Sequence, residues 1–358
     1  MQRLIRLVLV PLNLLLALLL MGATLSGVIR PSSNIIVALL GYAYVPLLVA
    51  NVLMMLVWMA MSSKWFLLSA AVIVVRWSYV PLFFQMGGSE REAQQSSVSA
   101  LSFNVHHFYG RSFAADITDL STIDSNVVAF LSLIDSRKPD LLMLQEFVPT
   151  IRGLRVADSL AQRGYTHWAS ASVGKTPNGV VLFSRLPICA VQRVDSLTML
   201  QADVVQGSDT LRLFCVHFNS YHLDEGDYQE MGRVAHGTVD RDSVRGTLSK
   251  IVSTSRRHEQ EIDRLMPLVQ QSPYPVLLAG DFNDTPASYA YHQATRLLVD
   301  AYRECGHGFS TTYHGPFPAF RIDYILHSPS LRTLSYSRVR NDISDHYPLF
   351  ATVELPSH

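Results

Sequence analysis

Six apolar stretches of this 358-residue chain each carry, at one end, residues able to do chemistry. Asn104 ends the first, in SFNVHHF. Glu146 ends the second, in LLMLQEF, and His217 another, in LFCVHFNSYHL. Asp281 and Asn283 close PVLLAGDFNDTP, and Asp323 lies in RIDYILHS. Asp345 and His346 stand in ISDHYPL, just before the last apolar run. Asn, Glu and Asp supply the oxygen donors that a hard cation such as Mg²⁺ takes. A phosphodiester needs, besides, a base for water, charge stabilisation on its phosphoryl oxygens and help for its leaving group. Two histidines, an Asp-x-Asn pair and an orienting Asp satisfy that set. Taken singly, each has a plainer explanation. Asn104 suits a turn or cap, Glu146 a surface acid, either histidine a structural hydrogen bond, and GDFND a tight turn. Chance weakens as the set grows, because separate strand ends must all carry the right residue type in a workable order.

Loops on a rigid sheet are where such groups collect, and the sequence contains the strands to build one. Short β-rich runs fall at Val98–Val105, Asp140–Leu144, Val180–Ser184, Leu211–Phe218, Pro275–Ala279, Ile322–His327 and Leu349–Leu355. Several are apolar throughout, as strands buried on both faces are. Helical spacing appears at Ile123–Ile134 and from Thr247 to Gln270, where Leu248, Ile251, Val252, Ile262, Leu265 and Val269 recur at three and four residues. Tyr221–Val244 is polar and reads as an insertion or surface loop. The wider stretch to Gln271 is either a lid or decoration. Residues 98–358 are numerous enough to bury a core as one α/β domain.

The first 88 residues differ in kind. Hydrophobic residues make up 49% of the chain and charged residues 16%, below the ~25% usual in globular proteins. The deficit is concentrated at the N-terminus. Met1–Gly88 holds Arg3, Arg6, Arg30, Lys64 and Arg76 and no Asp or Glu, which leaves 24 basic against 29 acidic residues in the remainder. That acidic body is not built to coat long nucleic acid by bulk attraction. Apolar runs at 7–29, 35–61 and 65–86 are each long enough for a bilayer core of ~30 Å, so residues 1–88 read as about three transmembrane helices. A cleaved signal for the first run and an interfacial helix for the third are the alternatives. Arg76 is costly at mid-bilayer unless it snorkels or faces other helices. Residues 89–97 form a polar linker. The positive-inside rule places Arg3, Arg6 and Lys64 on the cytoplasmic side, and three spans then put residues 98–358 on the extracytoplasmic (periplasmic) side of a multi-pass membrane protein. Cys189, Cys215 and Cys305 form no CxxC pair, against a zinc or disulfide framework.

The ordered set FN, LQE, a His after a strand, GDFN, RIDYIL and SDH resembles the endonuclease/exonuclease/phosphatase superfamily, across about residues 98–355. That resemblance implies a four-layered α/β sandwich, two mixed sheets packed face to face with helices outside. It implies phosphoester hydrolysis with Mg²⁺, or Mn²⁺ in its place. It further implies Glu146 as main metal ligand with Asn104 beside it, and Asp345 completing the metal or water shell. Asp281 orients or deprotonates the attacking water, and Asn283 holds the phosphate in its transition-state shape. His346 contacts the phosphate, with Asp323 fixing its tautomer. His217 binds a phosphate oxygen or protonates the leaving oxygen, with His222 as rival. The sequence departs from the family at His106–His107, where some members carry an acid. Arg152, Arg155, Arg163 and Lys175 are available as local positive charge. The reading is a membrane-anchored phosphodiesterase whose partners are the lipid bilayer and a phosphoester, a lipid headgroup or small diester ahead of nucleic acid. A DNA or RNA nuclease is the alternative, and an inactive headgroup- or partner-binding receptor the alternative of another class. No obligate protein partner is implied.

Overall fold

Runs of Val, Leu and Ile favour strands buried on both faces. In the computed structural model they assemble into two six-stranded mixed sheets. The structure describes residues 2–110, 121–151, 153–172, 179–194, 198–221, 226–227, 241–315 and 320–356. In sheet one the strand order is Arg332–Arg338, Leu349–Glu354, Ser97–Asn104, Leu141–Gln145, Gly179–Ser184 and His167–Ser172. In sheet two it is Val299–Asp300, Asp323–His327, Val276–Asp281, Asp209–His217, Met199–Gln206 and Ile188–Arg193.

The sheets stack face to face over a layer of small and branched side chains that includes Ala100, Leu141, Leu182, Ala202, Leu213, Leu277, Ala279 and Ala351. Alternating small and large residues lets two sheets interdigitate at the usual ~10 Å spacing. Helix Ser121–Arg137 covers the outer face of sheet one through Ile123, Val127, Phe130 and Ile134. Helix Arg241–Gln270 covers sheet two through Ile262, Leu265 and Val269. The result is a four-layered α/β sandwich.

Each sheet has one parallel pair, Ser97–Asn104 with Leu141–Gln145 and Asp209–His217 with Val276–Asp281. Parallel neighbours need a long crossover, usually helical. That accounts for the length of the 221–271 stretch: its second half is the crossover helix and forms an outer layer of the fold. The strands His167–Ser172, Ile188–Arg193, Met199–Gln206 and Arg332–Arg338 were not legible as apolar runs. Ile188–Arg193 lies at a sheet edge with most of its side chains exposed, and its apolar run is only the four residues Ile188–Val191.

At the N-terminus, Arg6–Leu25 and Ile35–Ala60 are long and apolar enough to cross a membrane. Phe66–Val75 and Trp77–Phe83 make a third such length only as a pair bent by 56°. Arg76 sits at that bend, beyond the end of the apolar helix. The helices are joined by buried polar groups: Ser69 Oγ donates to Asn13 Oδ1 at 2.7 Å and Asn51 Nδ2 to the Leu16 carbonyl at 3.0 Å, the type of bond that holds helices together where all surroundings are apolar.

This head packs on the body. Leu20, Ala23, Tyr44, Tyr79 and Leu82 share one core with Phe214, Leu278, Tyr289, Tyr291 and Tyr324. Phe84–Gln85 pairs antiparallel with Gly308–Phe309. Gly27 is required by this joint: a Cβ there would lie 2.2 Å from the ring of His292. The 89–97 segment is itself fastened, with Arg91 N donating to the Leu334 carbonyl at 2.8 Å and Gln95 N to Glu354 Oε1 at 3.1 Å.

Candidate active site

The two parallel pairs bring strand ends to one edge of the sandwich. In sheet two His217 is in register with Asp281, and Asp281 with Asp323, so three functional side chains stand on adjacent strands. In sheet one Asn104 pairs with Gln145, and Glu146 follows in a left-handed conformation, φ 52°. His346 enters from the loop before Leu349–Glu354. The glycine of GDFN has a steric reason. Gly280 has φ 150°, and a Cβ on it would fall 1.9 Å from the Val216 carbonyl oxygen of the neighbouring strand. Only glycine allows that approach, which sets Asp281 beside His217.

The side chains converge. Asn104 Nδ2 donates to Glu146 Oε1 at 3.2 Å and to Asp281 Oδ2 at 3.1 Å. Its own Oδ1 accepts from His106 N at 3.0 Å. Asn104 therefore clasps the two acids together through its amide nitrogen. His217 Nε2 lies 3.6 Å from Glu146 Oε1 and 3.8 Å from Asp281 Oδ2. His346 Nδ1 is 2.9 Å from Asp323 Oδ2, and its Nε2 is 3.8 Å from Asp281 Oδ2. Asp281, Asp323 and His346 offer ligand atoms all within 4.8 Å of one another. Asn283, at φ 49°, donates its N–H to Asp281 Oδ1 at 2.7 Å and its amide to the Phe218 carbonyl at 3.0 Å. Asp345 is at the edge of the group, 3.3 Å from His106 Nδ1 and 4.0 Å from His346 Nε2.

Electrostatics separates their protonation states. Burial works against an ionised Glu146. The imidazoles of His217, His106 and His107 and the Asn104 amide outweigh it, and its pKa is lowered. Asp281 is raised to about 7, first by burial and then by the negative charge of Asp323. His346 is also buried, yet the charges of Asp323 and Asp281 and the hydrogen bond it donates to Asp323 carry its pKa well above the usual histidine range. His217 is lowered by burial and by its imidazole neighbours. Its Nε2 is buried with no hydrogen-bond partner among the described residues. The edge thus holds an ionised acid, an acid poised near neutrality, a cationic imidazole and a neutral one.

The Exo_endo_phos family model, described as the endonuclease/exonuclease/phosphatase family, matches residues 101–346. The chain belongs to that family. This family member is therefore a metal-dependent phosphoric ester hydrolase, of a family whose enzymes use divalent ions. A second family model, a domain of unknown function (DUF8431), matches residues 5–83. No curated protein matches the sequence significantly. Among solved structures, this chain is similar to humanized D. rerio TDP2, at 15% identity and TM-score 0.50 over 72% of this chain and 99% of that one. It is similar to an endonuclease/exonuclease/phosphatase from Beutenbergia cavernae, at 17% identity and TM-score 0.50 over 73% and 72%. The catalytic domain of human Nocturnin with bound sulfate gives 14% identity and TM-score 0.50 over 74% and 96%. These likenesses bear on the fold.

Of the residues singled out in the sequence, Asn104, Glu146, His217, Asp281, Asn283, Asp323, Asp345 and His346 come together. His222, Arg152 and Lys175 lie outside the described residues. Arg155 and Arg163 are paired with Asp158 and Asp135. The His106–Phe108 turn is left-handed at all three residues, with φ 44°, 50° and 63°, and puts both imidazoles beside acids of the site. His107 Nε2 is 3.7 Å from Glu146 Oε2. Two contributors escaped sequence reasoning. Arg321, the residue before IDYIL, pairs with Asp300 with both side chains buried, Nη2 to Oδ2 at 2.6 Å, and fixes the start of the Asp323 strand. Asp284, just after Asn283, is buried against His258. A buried Arg leaves no signal in sequence, because it reads as a surface charge.

Proposed function

We propose that this protein is a membrane-anchored, Mg²⁺-dependent phosphodiesterase. Its catalytic region lies on the extracytoplasmic side, and its substrate is a small phosphodiester or the headgroup of a phospholipid or sphingolipid. The carrying observation is the convergence of Glu146, Asn104 and His346 from sheet one and its loops with His217, Asp281 and Asp323 from sheet two.

The residues fit a divalent cation. Glu146 is an ionised oxygen donor held among imidazoles, and the unpartnered His217 Nε2 opens on the same space. Glu146 would hold the ion, with Asp345 or its water at the edge. When bound, the ion supplies charge neutralisation on the phosphoryl oxygens. The chain supplies the rest. Asp281, with a pKa near neutrality, accepts a proton from the attacking water, an efficient position for a general base. Its Oδ1 is fixed by Asn283 N and its Oδ2 by Asn104, so its orientation is set before substrate arrives. Cationic His346 contacts the phosphoryl oxygens. Asp323 holds it through Nδ1, leaving Nε2 to point at the reacting group. Asn283 keeps Asp281 in place through its N–H and amide, neutral His217 protonated at Nε2 is set to bind a phosphoryl oxygen, and the proton for the leaving oxygen comes from cationic His346.

The preference for a bilayer substrate rests on the docked head and on the net negative body, which gives long nucleic acid little bulk attraction. The test uses the full chain in detergent micelles with Mg²⁺ and bis(4-nitrophenyl) phosphate, then sphingomyelin, phosphatidylcholine and single-stranded DNA. Turnover that EDTA abolishes and that favours the lipids is the expected result. Faster turnover of DNA would move the protein to the nucleases, and no turnover of any phosphoester would overturn the reading.

A further inference from the structure

The membrane head reaches further than its docking surface. Much of the joint is mechanical. Arg30 pairs with Glu259 at 3.0 Å and with Asp263 at 2.7 Å, and Ser26 Oγ donates to the Ala287 carbonyl at 2.6 Å. Tyr42 is different. It stands where the second apolar helix breaks, in the turn Gly41–Ala43 between Ile35–Leu40 and Tyr44–Ala60. Its hydroxyl donates to Asp284 Oδ1 and is hydrogen-bonded to the Tyr221 hydroxyl.

Asp284 is the residue after Asn283. It is pinned on every side. Oδ1 also accepts from Thr285 N at 3.0 Å, Oδ2 is 3.4 Å from His258 Nδ1, and its carbonyl accepts from the Tyr324 hydroxyl at 2.8 Å. Asn283 holds a left-handed backbone, φ 49°. Asparagine adopts this conformation readily, and its place is set by its bonds to Asp281 and Phe218 and by the pinned Asp284 that follows it, to which Tyr42 is bonded. The ring of Tyr42 touches the other flank as well, edge-on to Phe320 with centroids 6.2 Å apart. Phe320 is bridged to Tyr313, and Tyr313 to His346, whose rings are 5.2 Å apart.

We propose that Tyr42 is a positioning residue of the catalytic site, supplied by the membrane head. Through Asp284 it holds Asn283 in its left-handed turn, and through Phe320 and Tyr313 it supports the His346 side. The head is thus a structural wall of the site, and the catalytic region is fully competent only when docked on it. The proposal rests on the phosphodiesterase reading above.

The test is kinetic, on the full chain in detergent with saturating Mg²⁺ and bis(4-nitrophenyl) phosphate, with rates expressed per folded molecule from size-exclusion and near-ultraviolet circular dichroism. Tyr42→Phe keeps the ring and removes the hydroxyl. It is expected to lower kcat about tenfold or more, the scale of one hydrogen bond to a charged group, with KM within about twofold. Asp284→Asn is expected to lower kcat similarly, and the double variant to be no worse than the poorer single one, because both cut the same link. Leu53→Ala, on the exposed apolar face of the same helix, keeps the wild-type kcat. A structural role alone would reduce the folded fraction and leave kcat per folded molecule unchanged. Wild-type kcat in both Tyr42→Phe and Asp284→Asn overturns the proposal. An inactive wild-type chain overturns the reading of the site, and this proposal with it.

Discussion

His346 Nδ1 lies 2.9 Å from Asp323 Oδ2 and 3.1 Å from Oδ1, although His346 belongs to a loop leading into sheet one and Asp323 to a strand of sheet two. This contact and the Asn104–Asp281 hydrogen bond therefore join the two halves of the sandwich at the site. The Asp323 contact fixes which imidazole nitrogen faces the substrate and keeps the ring cationic. Asp323→Asn removes the charge and keeps the shape. Turnover of a diester is expected to fall by at least ~10²-fold, the scale of losing a catalytic group's correct protonation state. Metal affinity, measured by calorimetry, should change little.

The joint between head and body contains a titrating group. Burial, and secondarily the charge of Arg303, hold the His292 imidazole down to about 4, against an ordinary value near 6.5. It packs beneath Gly27 and against the Tyr79 ring, with centroids 5.2 Å apart. Because the folded-state value lies below the unfolded one, the stability tied to neutral His292 is complete above about pH 6.5. It declines as pH falls and is gone near pH 4. The whole interval is worth at most about 3 kcal/mol. Thermal midpoints in detergent are expected to drop between pH 6.5 and 5, and His292→Phe should flatten that slope.

Arg321 and Asp300 form an ion pair with both side chains essentially sealed from solvent, 1% and 0% exposed. The guanidinium also donates to the Leu82 carbonyl of the head at 3.2 Å and lies over the rings of Tyr302 and Tyr324. Removing one member of a buried pair strands the other, at a cost of roughly 3–5 kcal/mol. Arg321→Met should lower the denaturation midpoint accordingly. Replacing both partners with apolar residues should recover much of the loss.

Deleting the head would uncover Ala287, Tyr289, Ala290 and Tyr291, which share a core with Leu20, Ala23, Tyr44 and Tyr79. Residues 89–358 alone are expected to bind a hydrophobic dye, self-associate and melt at lower temperature than the full chain. A monodisperse fragment with the full chain's thermal midpoint would show the head to be a mere tether.

The strands carrying the site were legible because each combines an apolar run with a functional residue at its end. All seven anticipated runs are strands, with ends within two residues of those expected. The edge strand Arg332–Arg338 (RTLSYSR) was not legible, since polar residues interrupt its apolar ones. Asn104, Glu146, Asp281 and His346 stood out by type and place. Tyr42 and Arg321 did not: a tyrosine in an apolar run reads as membrane, and an arginine before a strand reads as surface. Their roles arise from contacts between segments far apart in sequence, Tyr42 with Asp284 and Arg321 with Asp300, which no local pattern records. The polar 89–97 segment likewise read as a linker because its fastenings are backbone donors, invisible in residue type.

The proposed function has Glu146 and His346, both carried by sheet one, serve one divalent ion and one phosphoester together with Asp281 and Asp323 of sheet two. Its most direct measurement is the Mg²⁺ dependence of diester turnover for the full wild-type chain, Glu146→Ala and His346→Ala. Glu146→Ala is expected to lose saturation by Mg²⁺ and His346→Ala to keep the wild-type midpoint, each with turnover reduced at least ~10²-fold. Wild-type turnover and an unchanged Mg²⁺ midpoint in Glu146→Ala would contradict it.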